Sequence, residues 1–378
     1  MADIHGHCDD RFASVRATFE ANFDSGKDVG ASVSIVHEGT TVVDLWGGTI
    51  DDDGTPWAED TIINVWSTTK TMTALSALVL ADRGELDLHA PVATYWPEFA
   101  AEGKEGVTVA HLLSHSAGLS GWQEPMETED LYDWDKACAR LAAQAPWWEP
   151  GTASGYHAIT QGYLVGEVIR RVSGRTVGTF FAEEIAGPLG ADFHIGTGPE
   201  HDARVARVIP PPNALDQAAG LDADSILFKT FTNPRMDAAT SWTEPWRRAE
   251  IPAAGGHGNA RSVARVQSVL SHGGEVDGVR ILSAAGCEMA LEQQITGPDL
   301  VFGLPMTFGM GYGINSADLP IGPNPRTCFW GGWGGSVVIN DFDANLTVAY
   351  VMNRMGEGTT GDDRGIGIAF AAFASIMG

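Results

Sequence analysis

Apolar residues fall into two rhythms along this chain, and the change from one to the other outlines an architecture. Over residues 9–23, Phe12, Val15, Phe19 and Phe23 recur about one helical turn apart, which predicts a helix packed on a core. Residues 31–36 and 41–46 are β-rich, and His37-Glu38-Gly39-Thr40 between them holds a glycine suited to a tight turn. They predict an antiparallel hairpin. A loop through Asp51, Asp52, Asp53 and Gly54 leads to a second, amphipathic helix, in which Leu75, Leu78 and Val79 share a face and Gly84 supplies the stop.

Across residues 86–252 the pattern is mainly helical, with helices predicted over 108–114, 137–145 and 159–172. Loops rich in proline and tryptophan separate them: Pro146-Trp147-Trp148, Pro210-Pro211-Pro212, and the stretch from Trp242 to Trp246. Such loops pack locally or wall a cleft. After Gly255-Gly256 come a helix over 262–271, strands over 309–314, 336–340 and 345–352, and a closing helix over 364–377. The simplest assembly is α/β of the α+β type. Residues 1–85 and 253–378 form one antiparallel sheet flanked by the N- and C-terminal helices, residues 86–252 form an inserted, mainly helical domain, and an active site lies in the cleft between them.

Composition acts mainly by exclusion. The chain has 378 residues, 44% of them hydrophobic and 19% charged, with 46 glycines, which fits a loop-rich globular enzyme. A formal charge of −26, from 23 basic and 49 acidic residues, repels phosphate backbones and anionic membrane surfaces, so neither nucleic acid nor membrane is an expected partner. The apolar run over 365–378 is too short to span about 30 Å of hydrocarbon. Cys8, Cys138, Cys287 and Cys328 are scattered, with no C-x-x-C pair, and free thiols are expected. The first eleven residues are polar and acidic, unlike a secretory signal, so the expected location is cytoplasmic. His5, His7 and Cys8 are expected to sit on a frayed terminus rather than bind metal.

Candidate chemistry begins at Ser67-Thr68-Thr69-Lys70, which sets a hydroxyl and an amine three residues apart at the start of the second helix. With about 3.6 residues per turn, both side chains share a face. A lysine held against a core near a helix N-terminus has its charged form disfavoured by desolvation and by the macrodipole. Neutral, it can take a serine proton. Two fixed positions also arise by chance, in which case Ser67 is a helix cap and Lys70 a solvated side chain. The G-x-S-x-G elbow, H-E-x-x-H and the P-loop are all absent from the sequence.

Three separated segments together resemble the serine hydrolases of the β-lactamase and penicillin-binding-protein fold, especially the class C β-lactamase-like esterases known as family VIII carboxylesterases. The likeness covers nearly the whole chain. Ser67-Thr68-Thr69-Lys70 is followed by His111-Leu112-Leu113-Ser114-His115-Ser116-Ala117-Gly118-Leu119, similar to the family's L-L-x-H-x-x-G-L segment. In Pro150-Gly151-Thr152-Ala153-Ser154-Gly155-Tyr156-His157-Ala158, Tyr156 matches the family's Y-x-N tyrosine while Ala158 replaces its asparagine. Where relatives carry K-T-G or H-x-G, this chain has Trp330-Gly331-Gly332 and then Trp333-Gly334-Gly335-Ser336.

The resemblance implies a β-lactamase/transpeptidase-like fold and acyl transfer through an acyl-enzyme on Ser67, with Lys70 and Tyr156 sharing general-base and general-acid duties. It implies an oxyanion hole from the Ser67 and Trp333 backbone N–H groups. Trp330, Gly331 and Gly332 are expected to bind substrate, and Trp122 and Gln123 to border the acyl pocket. His111 and His115 are expected to be supporting residues, and no metal or organic cofactor is expected. Ala158 lacks an amide, and Trp330 offers an apolar face instead of a cation. Both favour a serine carboxylesterase acting on small or short-chain acyl esters. The alternatives are a β-lactamase, a D-amino-acid amidase or peptidase, or an acyltransferase using the same acyl-enzyme. Whether Lys70 or Tyr156 is the base stays open.

Overall fold

Strands from the two ends of the chain pair side by side in the computed structural model, which describes residues 2–211 and 220–377. Pro212 of the proline run lies outside the described residues. The early strands are β1 (Ile4–Cys8), β2 (Gly30–His37), β3 (Thr40–Gly48) and β4 (Ile63–Asn64). Then follow β5 (Phe193–His194), β6 (His257–Gly258), β7 (Glu275–Val276), β8 (Val279–Arg280) and β9 (Ile295–Pro298). The last are β10 (Pro305–Phe308), β11 (Gly313–Ile314), β12 (Thr327–Gly331), β13 (Val337–Asp341) and β14 (Leu346–Met352).

Nine of them form one antiparallel sheet in the order β1-β3-β2-β14-β13-β12-β11-β10-β9. The ends of the chain meet at its centre, where β2 pairs with β14 from His37 opposite Leu346 to Ala31 opposite Met352. The hairpin joining β2 to β3 turns through Glu38 (φ 50°) and Gly39 (φ 77°), the two left-handed positions of a type I′ turn. On one face the helices Ala13–Asp24 and Asp363–Met377 pack together, tied by Arg11 Nε donating to Ser375 O at 2.8 Å. The Ala260–Ser271 helix covers β2, β13 and β14. A second sheet of three short strands, β4-β6-β5, links residues on either side of the 86–252 segment to a strand within it.

Three expectations are corrected. The terminus does not fray: β1 pairs with β3 from Ile4 opposite Gly47 to Cys8 opposite Val43, and backbone hydrogen bonds hold a strand whose side chains are largely polar. Residues 309–314 are not one strand, because Gly309 N–H donates to Tyr312 O at 2.9 Å and closes a turn between β10 and β11. Gly311 takes φ 89° there, and a Cβ on it would lie 2.3 Å from Ala74 Cβ. The Thr69–Asp82 helix is not amphipathic. Every residue from Thr69 to Leu80 is buried, since this helix runs between the sheet and the helical layer, against helix Thr160–Ser173. A helix apolar on all sides belongs in such an interior.

Candidate active site

Just beyond β4 the chain reverses at Trp66, whose backbone is left-handed (φ 50°), and enters a 3-10 turn over Trp66–Thr68 that runs into the buried helix. Hydroxyl groups lock this turn. Thr69 Oγ1 donates to Trp66 O at 2.6 Å and accepts from Gly256 N–H at 2.9 Å, while Ser336 Oγ donates to Val65 O at 2.8 Å. A left-handed non-glycine residue costs about 1–3 kcal/mol and persists only where its surroundings over-determine it. Here the conformation presents Ser67 at the helix start.

Lys70 is 1% exposed and its Nζ lies 3.1 Å from Ser67 Oγ, 2.6 Å from Ala158 O and 3.0 Å from Ala253 O. No carboxylate forms an ion pair with it among the described residues, and burial holds its pKa well below the ordinary 10.5. A neutral amine that donates its two N–H groups to these two carbonyls has its lone pair left for the Ser67 hydroxyl. The carbonyl of Ala158 thus grips the amine at the position where the side-chain amide is missing.

Tyr156 approaches from the 151–158 loop and donates from its hydroxyl to Ser67 Oγ at 2.5 Å. Burial pushes its pKa up, so the phenol keeps its proton. Its ring is enclosed by Phe302 (stacked, centroids 4.7 Å), His115 (5.1 Å) and Trp330 (5.4 Å), with Lys70 Nζ 4.8 Å from its centroid. His115 and His157 are fully enclosed and burial lowers both pKa values, His157 to about 3. They are neutral packing and hydrogen-bonding groups. His157 Nε2 accepts from Leu119 N–H at 3.0 Å and His115 Nδ1 accepts from His157 N–H at 3.0 Å.

The turn after β12 closes the other side. Gly332 N–H donates to Ser336 O (2.7 Å) and Gly334 N–H to Gly358 O (2.8 Å), bonds in which the Trp333 N–H takes no part. Arg364 Nη2 holds Gly334 O at 2.6 Å. A Cβ on Gly332 would lie 2.3 Å from Val65 O and 3.2 Å from Ser67 N, so only glycine allows this turn to sit against the serine. Gly331 is similarly pressed, its Cβ position falling 2.4 Å from Thr360 O.

A pocket of about 80 Å³ opens onto Ser67 and Tyr156, walled by Trp66, Ile159, Phe231, Met236 and Trp333. Arg235, exposed, is the one charged side chain among the described residues lining it. None of the five expected substrate contacts, Trp330, Gly331, Gly332, Trp122 and Gln123, is among the residues lining it. Trp330 is 1% exposed and backs Tyr156 instead of facing the pocket. Its indole N–H makes no hydrogen bond among the described residues. Trp122 is buried against Tyr163 with its Nε1 donating to Ala137 O at 3.0 Å. Gln123 is exposed, its backbone N–H bonded to Gln144 Oε1 at 3.0 Å. Trp66, Phe231 and Met236 went unrecognised as pocket walls. The apolar residues Phe228, Phe231 and Met236, set in an otherwise polar stretch, were the available signal.

The beta-lactamase family model matches residues 15–373. The chain is 36% identical to the esterase/beta-lactamase LipL of Mycobacterium tuberculosis over 93% of this chain and 83% of that protein. Among solved structures it is similar to a family VIII carboxylesterase, with 44% identity, a TM-score of 0.93, and coverage of 99% of this chain and 100% of that one. It is also similar to a penicillin-binding protein homologue from Caulobacter crescentus, with 41% identity, a TM-score of 0.89, and coverage of 99% and 100%.

Proposed function

The chain belongs to the beta-lactamase family and is a serine carboxylic ester hydrolase, and from that premise we propose that Ser67 carries the acyl group, Lys70 is the base and Tyr156 the acid. The observation that carries this reading is the convergence of Lys70 Nζ (3.1 Å) and Tyr156 Oη (2.5 Å) on Ser67 Oγ. The Ser67 proton passes to the neutral amine as Oγ attacks the ester carbonyl. Negative charge on the carbonyl oxygen meets the Ser67 and Trp333 backbone N–H groups. The tetrahedral intermediate then collapses, the departing alkoxide takes the Tyr156 proton, and Lys70 returns its proton to the phenol. Water enters, loses a proton to Lys70 and attacks the acyl carbonyl; as the intermediate collapses the departing Ser67 Oγ takes the Tyr156 proton, Lys70 returns its proton to the phenol, and the free acid and Ser67 are restored.

The substrates are esters of small or short-chain acids, a reading supported by the small pocket and its apolar walls. That support replaces the one drawn from Trp330, which is buried. Action in the cytoplasm is part of the proposal, supported by four free cysteines. No helix among the described residues is long and apolar enough to cross a membrane. The test is a panel of p-nitrophenyl acetate and butyrate against nitrocefin and D-alanyl amides. Turnover of the esters is expected to exceed that of the amides by orders of magnitude. Turnover of amides alone would sink the assignment.

A further inference from the structure

The carboxylate of Asp299 lies 1% exposed behind the tyrosine loop, bridging it to the loop that joins β9 to β10. Its Oδ1 accepts three backbone N–H groups: Tyr156 at 3.2 Å, Val301 at 2.9 Å and Phe302 at 2.9 Å. Leu300 N–H adds a second link by donating to Ser154 O at 2.8 Å, and Asp299 N–H to Leu304 O closes the loop at 2.9 Å. The other oxygen, Oδ2, has no hydrogen-bond partner among the described residues.

A buried carboxylate oxygen without a partner is costly. Sequence offers a cheaper way to close a hairpin loop. What this arrangement achieves is local: one oxygen fixes the backbone of Tyr156 and that of Phe302, whose ring stacks on Tyr156 at 4.7 Å and 22°. We propose that Asp299 is a positioning residue for the reaction, clamping Tyr156 and its Phe302 backing so that the phenol hydroxyl stays on Ser67 Oγ. The inference rests on the reading of Tyr156 as the acid.

The titratable groups facing the Tyr156 ring and loop are Lys70 from the buried helix, His115 from the turn after the Val109–Leu113 helix, His157 from its own loop, and Asp299. Lys70, His115 and His157 all have their pKa values lowered by burial. Burial is the largest influence raising the Tyr156 pKa, and the Asp299 charge adds to it.

The experiment measures kcat and KM for p-nitrophenyl butyrate in the parent, Asp299→Asn, Asp299→Ala and Tyr156→Phe. Asp299→Asn keeps an acceptor for all three N–H groups and is expected to leave kcat and KM near the parent values. Asp299→Ala is expected to lose about 10- to 100-fold in kcat, with KM little changed, through misplacement of the phenol. A folded Asp299→Ala with the parent kcat, or an Asp299→Asn that falls as far as Asp299→Ala, with Tyr156→Phe inactive, would overturn this inference alone. Full activity in Tyr156→Phe would instead remove the premise. Should Asp299→Ala not fold, Asp299→Glu, which moves the acceptor by one methylene, is expected to show the loss of kcat, and the parent kcat in it would overturn the inference.

Discussion

Replacing Lys70 separates a base from a mere positive charge. The side chain is 1% exposed and makes hydrogen bonds to Ala158 O and Ala253 O besides its contact with Ser67. Lys70→Met fills nearly the same volume without an amine, and Lys70→Arg keeps a cation that cannot give up its proton in a protein. General-base catalysis contributes about 10²- to 10⁴-fold, which is about 3–5 kcal/mol of barrier at 1.36 kcal/mol per tenfold. Both variants are therefore expected to lose that factor in kcat. Stability moves differently. Lys70→Met strands two carbonyl oxygens at about 1–3 kcal/mol each, but it also removes an amine that must shed its proton to be buried. Between its depressed folded pKa and the ordinary 10.5, the unfolded chain binds one proton more at Lys70 than the folded one. The parent's stability therefore rises with pH through that window because of this group, and levels off above it. In Lys70→Met this rise is absent. The assays are kcat for p-nitrophenyl butyrate and urea unfolding at several pH values. A folded Lys70→Arg protein with kcat within tenfold of the parent would refute the reasoning, since a permanent cation cannot accept the Ser67 proton.

Gly332→Ala is expected to reduce kcat by about 10²-fold with little change in fold content by circular dichroism, because its methyl group would crowd Val65 O and the Ser67 N–H. Arg364→Leu is expected to lower stability by about 3–5 kcal/mol in urea unfolding, since it leaves Asp28, fully buried and 2.8 Å from the guanidinium, without its partner. Trp333→Ala widens the pocket beside Trp66, with which it packs edge-on at 5.0 Å. Its kcat/KM for butyrate over acetate esters is expected to rise by about tenfold, as hydrophobic-pocket discrimination of one or two methylenes allows.

Local spacing made Ser67 and the groups that converge on it legible in the sequence. Ser67 and Lys70 share a helical face, and Tyr156 was recognisable from the string around it. The hairpin turn at Glu38-Gly39 and the terminal helices were equally readable, because each depends on neighbours in the chain. Trp330 was not. Strand β12 is buried along its whole length, so period two could not tell which face meets the pocket and which meets Tyr156. The wall formed by Phe231 and Met236 depends on packing between segments far apart in sequence, and no periodicity carries it. β1 escaped notice because only Ile4 and Cys8 of its five residues are apolar, while its order comes from pairing with β3. The burial of Thr69 to Leu80 on every side was hidden by the threonines and serine there, whose hydroxyls bond to carbonyls, as Ser76 Oγ does to Met72 O at 2.9 Å.

Peptide mass spectrometry of protein acid-quenched during turnover of a slow ester tests the central claim most directly. The acyl mass is expected on the peptide containing Ser67, accumulating with the burst of alcohol and absent from a folded, inactive Ser67→Ala protein. An acyl group on another residue, or ester turnover retained by Ser67→Ala, would contradict it.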